Sequence, residues 1–254
     1  MNVHFQVIFT LLSLFTLSSC TTIETPLSHG IQPGFEAYIP ARIAVLPCRT
    51  FPAIARYPGL KPSNIKEKEN KAICDIFDQK IIEGFTNQPF MKGFTPTLIQ
   101  QFLEKNSATQ LLSEIDQLWT INLAECSECT SGPSVYNKLS ESSPKWRGWL
   151  NQFSKNTRYS DAILLPLISE AVEQKKDERG VWISERFVKI ELFLIDTNHG
   201  KLLWSGSRAA SVSNQTLRES VATEAPPFPH WNRLFSRLFT EAIWKDFPGR
   251  QMNF

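Results

Sequence analysis

The stretch from Asp161 to Ser207 constrains the fold of this 254-residue chain more than any other. Asp161 to Val172 (DAILLPLISEAV) opens as a continuous apolar run, the pattern of a strand buried on both faces. Pro166 has no N–H for a ladder, which predicts a bend or an edge at that point. Glu173 to Gly180 (EQKKDERG) reads as a charged turn. Val181 to Asp196 then alternates over its second half. Val188, Ile190, Leu192 and Leu194 take one face, and Lys189, Glu191, Phe193 and Ile195 the other. Thr197-Asn198-His199-Gly200 predicts a hairpin turn, with Asn198 and Gly200 at its positive-φ positions. Lys201 to Ser207 (KLLWSGS) returns antiparallel.

The rest of the chain supplies another buried strand and helices to cover the sheet. Arg42 to Pro47 (RIAVLP) is a short apolar strand stopped by proline. Pro62 to Phe85 predicts a long helix whose Ile73, Ile76, Phe77, Ile81 and Phe85 form one apolar stripe. Phe94 to Leu98 reads as a short strand. Leu98 to Leu118 reads as one or two helices with Leu98, Phe102, Leu103, Leu111, Leu112 and Ile115 inward. Trp119 to Ala124 reads as a strand, and Glu125 to Lys145 as a surface insertion. Pro144 to Ser154 predicts a helix that groups Trp146, Trp149, Leu150 and Phe153 against the sheet. Thr216 to Pro229, ending in PPFP, reads as a mobile loop. A last helix over 228–247 turns Trp231, Leu234, Phe235, Leu238, Phe239, Ala242 and Ile243 inward and leaves Trp244 to its side. The expected fold class is α/β (α+β): a mixed, largely antiparallel sheet with helices packed on it, in a single domain over 41–254.

The N-terminus fixes a compartment. Met1 to Ser19 contain no Lys, Arg, Asp or Glu, and Val7 to Leu17 (VIFTLLSLFTL) is apolar over eleven residues. A bilayer span needs about 20 apolar residues, whereas the apolar core of a secretory signal needs only this length. The run ends in Leu17-Ser18-Ser19-Cys20, which resembles the lipobox of bacterial lipoproteins. The resemblance implies cleavage before Cys20, a diacylglycerol on its thiol and an acyl chain such as palmitate on its amine. Two or three acyl chains make a stable membrane anchor where one is marginal. Thr21 stands where Asp would mark inner-membrane retention. The implied location is therefore the outer membrane, facing the periplasm. Residues 1–19 are expected to be the signal peptide and 20–40 the lipidated cysteine with a flexible tether.

Four further cysteines remain: Cys48, Cys74, Cys126 and Cys129. An oxidising compartment favours disulfides. Three pairings exist; Cys48–Cys74 and Cys126–Cys129 are favoured. Cys48 follows a strand, and Cys74 sits on the inward face of the next helix. A redox role for Cys126 and Cys129 is disfavoured by Glu125 and Glu128 and by the loop-forming Ser131-Gly132-Pro133 that follows. Zinc would need two more ligands, and His29, His199 and His230 are scattered.

Composition narrows the function classes. Lys and Arg total 27 against 25 Asp and Glu, a net charge of +2, too little for a polyanion binder. No GxSxG, Walker A, GxGxxG or HExxH motif occurs. The carboxylate pairs Asp75/Asp78 and Glu125/Glu128 are expected on a helix surface and in a loop, without an apolar setting. His199 reads as a turn residue.

The order of elements resembles the α/β periplasmic domains of small envelope lipoproteins of the CsgG and LpoB type and the N-terminal domain of TolB. It also resembles an uncharacterised family of lipoproteins that carries this domain alone. The resemblance rests on the IAVLP strand and on a late hairpin matched by Leu192, Leu194, Asp196, Gly200, Lys201 and Trp204. It implies a non-catalytic, lipid-anchored module that binds an envelope protein partner and needs no cofactor, metal or nucleic acid. A self-assembling or pore-forming lipoprotein, and a periplasmic redox enzyme using Cys126 and Cys129, are the alternatives.

Overall fold

The structure, a computed structural model, describes residues 28–31, 34, 37–50, 65–86, 88–115, 118, 144–217 and 224–250. Its strands are β1 (Ser28–Ile31), β2 (Arg42–Val45), β3 (Arg49–Thr50), β4 (Lys92–Phe94), β5 (Ala162–Glu178), β6 (Val181–Asp196) and β7 (Leu202–Leu217). Its helices are α1 (Glu67–Phe85), α2 (Pro96–Lys105), α3 (Pro144–Asn156) and α4 (Trp231–Leu238), with a helical segment over 110–115 and a 3₁₀ turn over Glu241–Trp244. One mixed sheet runs in the order β1-β7-β6-β5-β2-β4, and β3 pairs with β5 beyond the end of β2. The long pairings, β5–β6 and β6–β7, are antiparallel, as is β1–β7. The short ones, β2–β4, β2–β5 and β3–β5, are parallel.

The hairpin is longer than its hydrophobic pattern. The charged segment read as a turn stays in the ladder, from Glu173 opposite Arg186 to Glu178 opposite Val181. Only Arg179 and Gly180 turn, at φ 53° and 80°, the pair of positive angles a two-residue type I′ turn requires. Cross-strand charges support the extension. Arg186 Nε donates to Glu173 Oε1 at 2.6 Å, and Lys176 reaches across to Glu185 at 3.5 Å while also pairing along its own strand with Glu178 at 2.9 Å. Pro166 lies where it disturbs the sheet least. On one side β2 stops pairing at Leu164 and β3 resumes at Leu167. The register shift of β5 against β6 comes later, between Ile168 and Glu170.

Helices cover both faces. The Val188, Ile190, Leu192 and Leu194 side packs against Ile73, Phe77, Ile81 and Phe85 of α1 and Trp231, Leu234, Phe235 and Leu238 of α4. The Phe193 and Ile195 side packs against α2, the 110–115 segment and α3, with Ile99, Leu103, Trp146 and Phe153 fully buried. On α3 the indole of Trp149 stacks between Trp146 at 5.2 Å and Phe153 at 4.9 Å. Its Nε1 donates to the Leu111 carbonyl at 2.9 Å, so the ring's polar atom is satisfied inside the core.

Several elements differ from expectation for local reasons. Residues 28–31, expected in a tether, form an edge strand on β7. The expected strand over 94–98 ends at Phe94, because Thr95 caps α2 by accepting from Leu98 N at 3.2 Å and Pro96 occupies the first turn. The hairpin turn 197–200 uses one positive φ, Gly200 at 71°; Asn198 has none, and Asp196 holds the turn by accepting from Asn198 N and His199 N. The expected mobile loop remains strand to Leu217. Its proline segment is fastened by Ser184 to Pro226 O, Asn214 to Pro227 O at 2.8 Å and Arg186 to Pro229 O at 2.6 Å. The last helix stops at Leu238, and the 3₁₀ turn that follows exposes Ala242 and carries Trp244 inward, 4% exposed, between Trp204, Phe85 and Phe247.

Candidate functional site

Strand β2 (Ile43, Ala44 and Val45, all fully buried) is where the chain's connections diverge. From β2 the chain crosses through α1 on one face to β4; from β4 it returns through α2 and α3 on the other face to β5. The crevice outside the carboxyl end of such a strand is where α/β sheets place ligands.

The residues at that end hold one another. Cys48, just past β2, and Cys74 of α1 form a disulfide, with Cα atoms 5.2 Å apart and a sequence separation of 26. Asp78 lies one helical turn after Cys74, on the same face of α1. Its carboxylate accepts from Cys48 N at 3.0 and 3.3 Å. Arg49 donates to Pro47 O at 2.9 Å and to Leu112 O at 2.7 Å, tying the strand end to the 110–115 segment.

Asp78 differs from the surface carboxylate expected of it. Burial pushes its pKa up from 3.8 to about 7; the Cys48 N–H opposes this, Asp75 adds to it and Arg49 opposes it. Asp75 is the surface member of the pair, held by Lys71 at 2.8 Å. The signal for Asp78 was in the spacing, since a residue four after an inward cysteine shares its face. Near neutral pH its carboxyl can give or take a proton. Beside it a groove of about 380 Å³ runs between α1 and the start of α2, lined by Asp78, Gln79, Ile82, Thr86, Thr95 and Thr97 among others.

A second buried carboxylate was also missed. Glu191 is 6% exposed, and burial raises its pKa against Lys189, 3.8 Å away, and Ser169. His199 sits in the hairpin turn with Nδ1 2.6 Å from Asp196 Oδ2. His230 precedes α4 and makes no side-chain cap. Among the described residues no three His, Cys, Asp or Glu side chains cluster as a metal site. No helix among them is long and apolar enough to cross a membrane. Cys20, Glu125, Cys126, Glu128 and Cys129 lie outside the described residues.

No family model matches the chain. No curated protein matches it either. Solved structures similar to it include bacterial lipoproteins at low identity. Lipoprotein GNA1162 from Neisseria meningitidis is 15% identical, with 80% of this chain and 98% of that one covered and a TM-score of 0.35. The PelC dodecamer from Paraburkholderia phytofirmans is 11% identical over 91% of this chain and 100% of that one, TM-score 0.35. The LpoB C-terminal domain from Salmonella enterica is 10% identical over 67% and 82%, TM-score 0.31. At such scores these likenesses carry no argument about what this chain does.

Proposed function

We propose that the chain is a lipid-anchored module of the bacterial cell envelope, held to the outer membrane on its periplasmic side, that binds an envelope protein without catalysing a reaction. The observation that carries this reading is the apolar run ending in Leu17-Ser18-Ser19-Cys20, which resembles a lipobox. The Cys48–Cys74 disulfide supports it, because such bonds persist in exported proteins. An anchor confines the domain to a surface and raises its effective concentration for partners there.

The test has two arms in intact cells. Membrane fractionation of the wild type and of Cys20→Ser should place the first in the outer membrane and release the second. Photo-crosslinking from the groove between α1 and α2 should capture one recurring envelope protein. A Cys20→Ser chain still in the membrane sinks the anchor; crosslinks to many unrelated proteins sink the specific partner.

A further inference from the structure

At the opposite end of the sheet a second concavity, about 400 Å³, is walled by α3 on one side and the β6–β7 turn on the other. Its helix wall follows from sequence spacing. Trp146, Trp149, Leu150 and Phe153 turn into the core, which leaves Arg147, Asn151 and Lys155, four residues apart, along one exposed stripe. Thr197, Asn198 and Gly200 form the facing wall, and Tyr159 stands at the rim, 65% exposed.

Three observations distinguish this cavity from an ordinary solvated helix face. The first is charge. Its lining holds two cations and no acid, and α3 (PKWRGWLNQFSKN) contains no Asp or Glu. The nearby carboxylates are already engaged, Asp161 by Arg42 at 3.1 Å and Asp196 by the hairpin turn. The second is unused hydrogen-bonding capacity. The side chains of Arg147, Asn151, Lys155 and Asn198 make no hydrogen bond or ion pair with any described residue. Ser154 and Thr197, in contrast, are spent on the Ser160 carbonyl. The third is Tyr159. Arg158 and Tyr159 both adopt positive φ, 56° and 54°, conformations that cost non-glycine residues energy and persist only where surroundings impose them. Here Tyr159 N donates to Ser154 O at 2.8 Å, the Arg158 carbonyl accepts from Arg42, and the Arg158 guanidinium lies 4.5 Å over Phe102. The turn therefore holds an uncovered aromatic ring beside the polar cavity.

An aromatic face, two amides able to bridge neighbouring hydroxyls, and a planar cationic fork with a second cation are together the groups that suit a sugar carrying an acidic substituent. Arg147 matches a carboxylate or phosphate bidentately, and Lys155 adds a point charge. The volume lies in the range of small-molecule sites and admits one or two sugar rings. We propose that this cavity binds an acidic saccharide, its acidic group between Arg147 and Lys155 and a ring face on Tyr159. The inference adds a ligand to the module and stands whether or not Cys20 is acylated.

The test is calorimetric titration of the full mature chain in detergent. The probes are a glucuronic-acid-containing disaccharide, a hexose 1-phosphate, neutral diacetylchitobiose and glutarate. Saturable binding of either acidic sugar, with a Kd of about 1 mM or below, is expected, and the tighter of the two identifies the acidic group. Arg147→Gln and Tyr159→Asn, the latter a residue that tolerates positive φ, should each weaken it about tenfold or more. Lys145→Gln, on the same helix but outside the cavity lining, should leave it unchanged. The proposal is overturned if neither acidic sugar binds, if diacetylchitobiose or glutarate binds as tightly, or if Lys145→Gln weakens binding as much as Arg147→Gln.

Discussion

Replacing Asp78 by Asn should make the folded domain much less sensitive to a pH change that weakens the wild type. The folded-state pKa of Asp78 is pushed up to about 7 from 3.8 chiefly because its half-buried carboxyl is partly desolvated beside the end of β2. Between those two values the folded chain holds a proton that the unfolded chain has lost. The stability tied to that proton is therefore complete below about pH 4 and is lost as pH rises through about 7. Each pH unit between the two pKa values corresponds to 1.36 kcal/mol, so the full loss at pH 8 approaches about 4 kcal/mol. About two of those pH units, or about 3 kcal/mol, fall between pH 5 and pH 8, which for a domain of this size is a fall in Tm of roughly 5–10 °C. Asn keeps an oxygen for the Cys48 N–H and carries no charge at either pH. Asp78→Asn should match the wild type at about pH 4 and exceed it by a margin that grows up to about pH 7 and holds at pH 8. Thermal unfolding of both chains at several pH values, disulfide intact, is the assay. Parallel curves of Tm against pH for the two chains would refute the reasoning. Glu191, raised in the same direction, should leave Asp78→Asn with a residual slope of the same sign.

Other perturbations follow from packing. The double variant Cys48→Ser/Cys74→Ser opens a loop with a sequence separation of 26 and should lower unfolding free energy by about 3 kcal/mol; dithiothreitol should lower the wild type equally, and no change in urea midpoint would contradict this. At Gly84 of α1 a methyl group would run into the indole of Trp244. Gly84→Ala should therefore destabilise by about 1–3 kcal/mol, although the same change in an open helix stabilises by about 1, and a rise in Tm would show that Trp244 is not packed there. Phe77, fully buried and 5.6 and 5.5 Å from the rings of Phe235 and Phe239, joins α1 to α4; Phe77→Ala should cost about 3–5 kcal/mol by urea unfolding.

Much of the fold was legible because period-2 and period-3.6 patterns each name a face. On β6, Val188, Ile190, Leu192 and Leu194 enter one core and Phe193 and Ile195 the other, and the four apolar residues of α3 are all buried. Patterns failed where polarity and structure part company. A strand that leaves the core keeps its ladder while its side chains become charged, so Glu173–Glu178 read as a turn. A helix cut by a non-helical residue loses its phase, so Trp244, expected to the side of the inward stripe, is carried into the core. The carboxyl end of β2 was half legible. Cysteine position drew Cys48 and Cys74 to one place, but the burial of Asp78 depends on how closely α1 seats against that strand end, which no local pattern encodes. The cavity beside α3 was not legible at all, since Tyr159 and the 197–200 turn meet Arg147 only through tertiary packing.

Intact-mass and N-terminal peptide analysis of the chain purified from bacterial membranes asks most directly whether the anchor exists. The account requires a polypeptide whose first residue is Cys20, heavier than its sequence by a diacylglyceryl group and an amide-linked fatty acid. A mature chain that starts at any other residue, or one whose Cys20 carries no lipid, would contradict it.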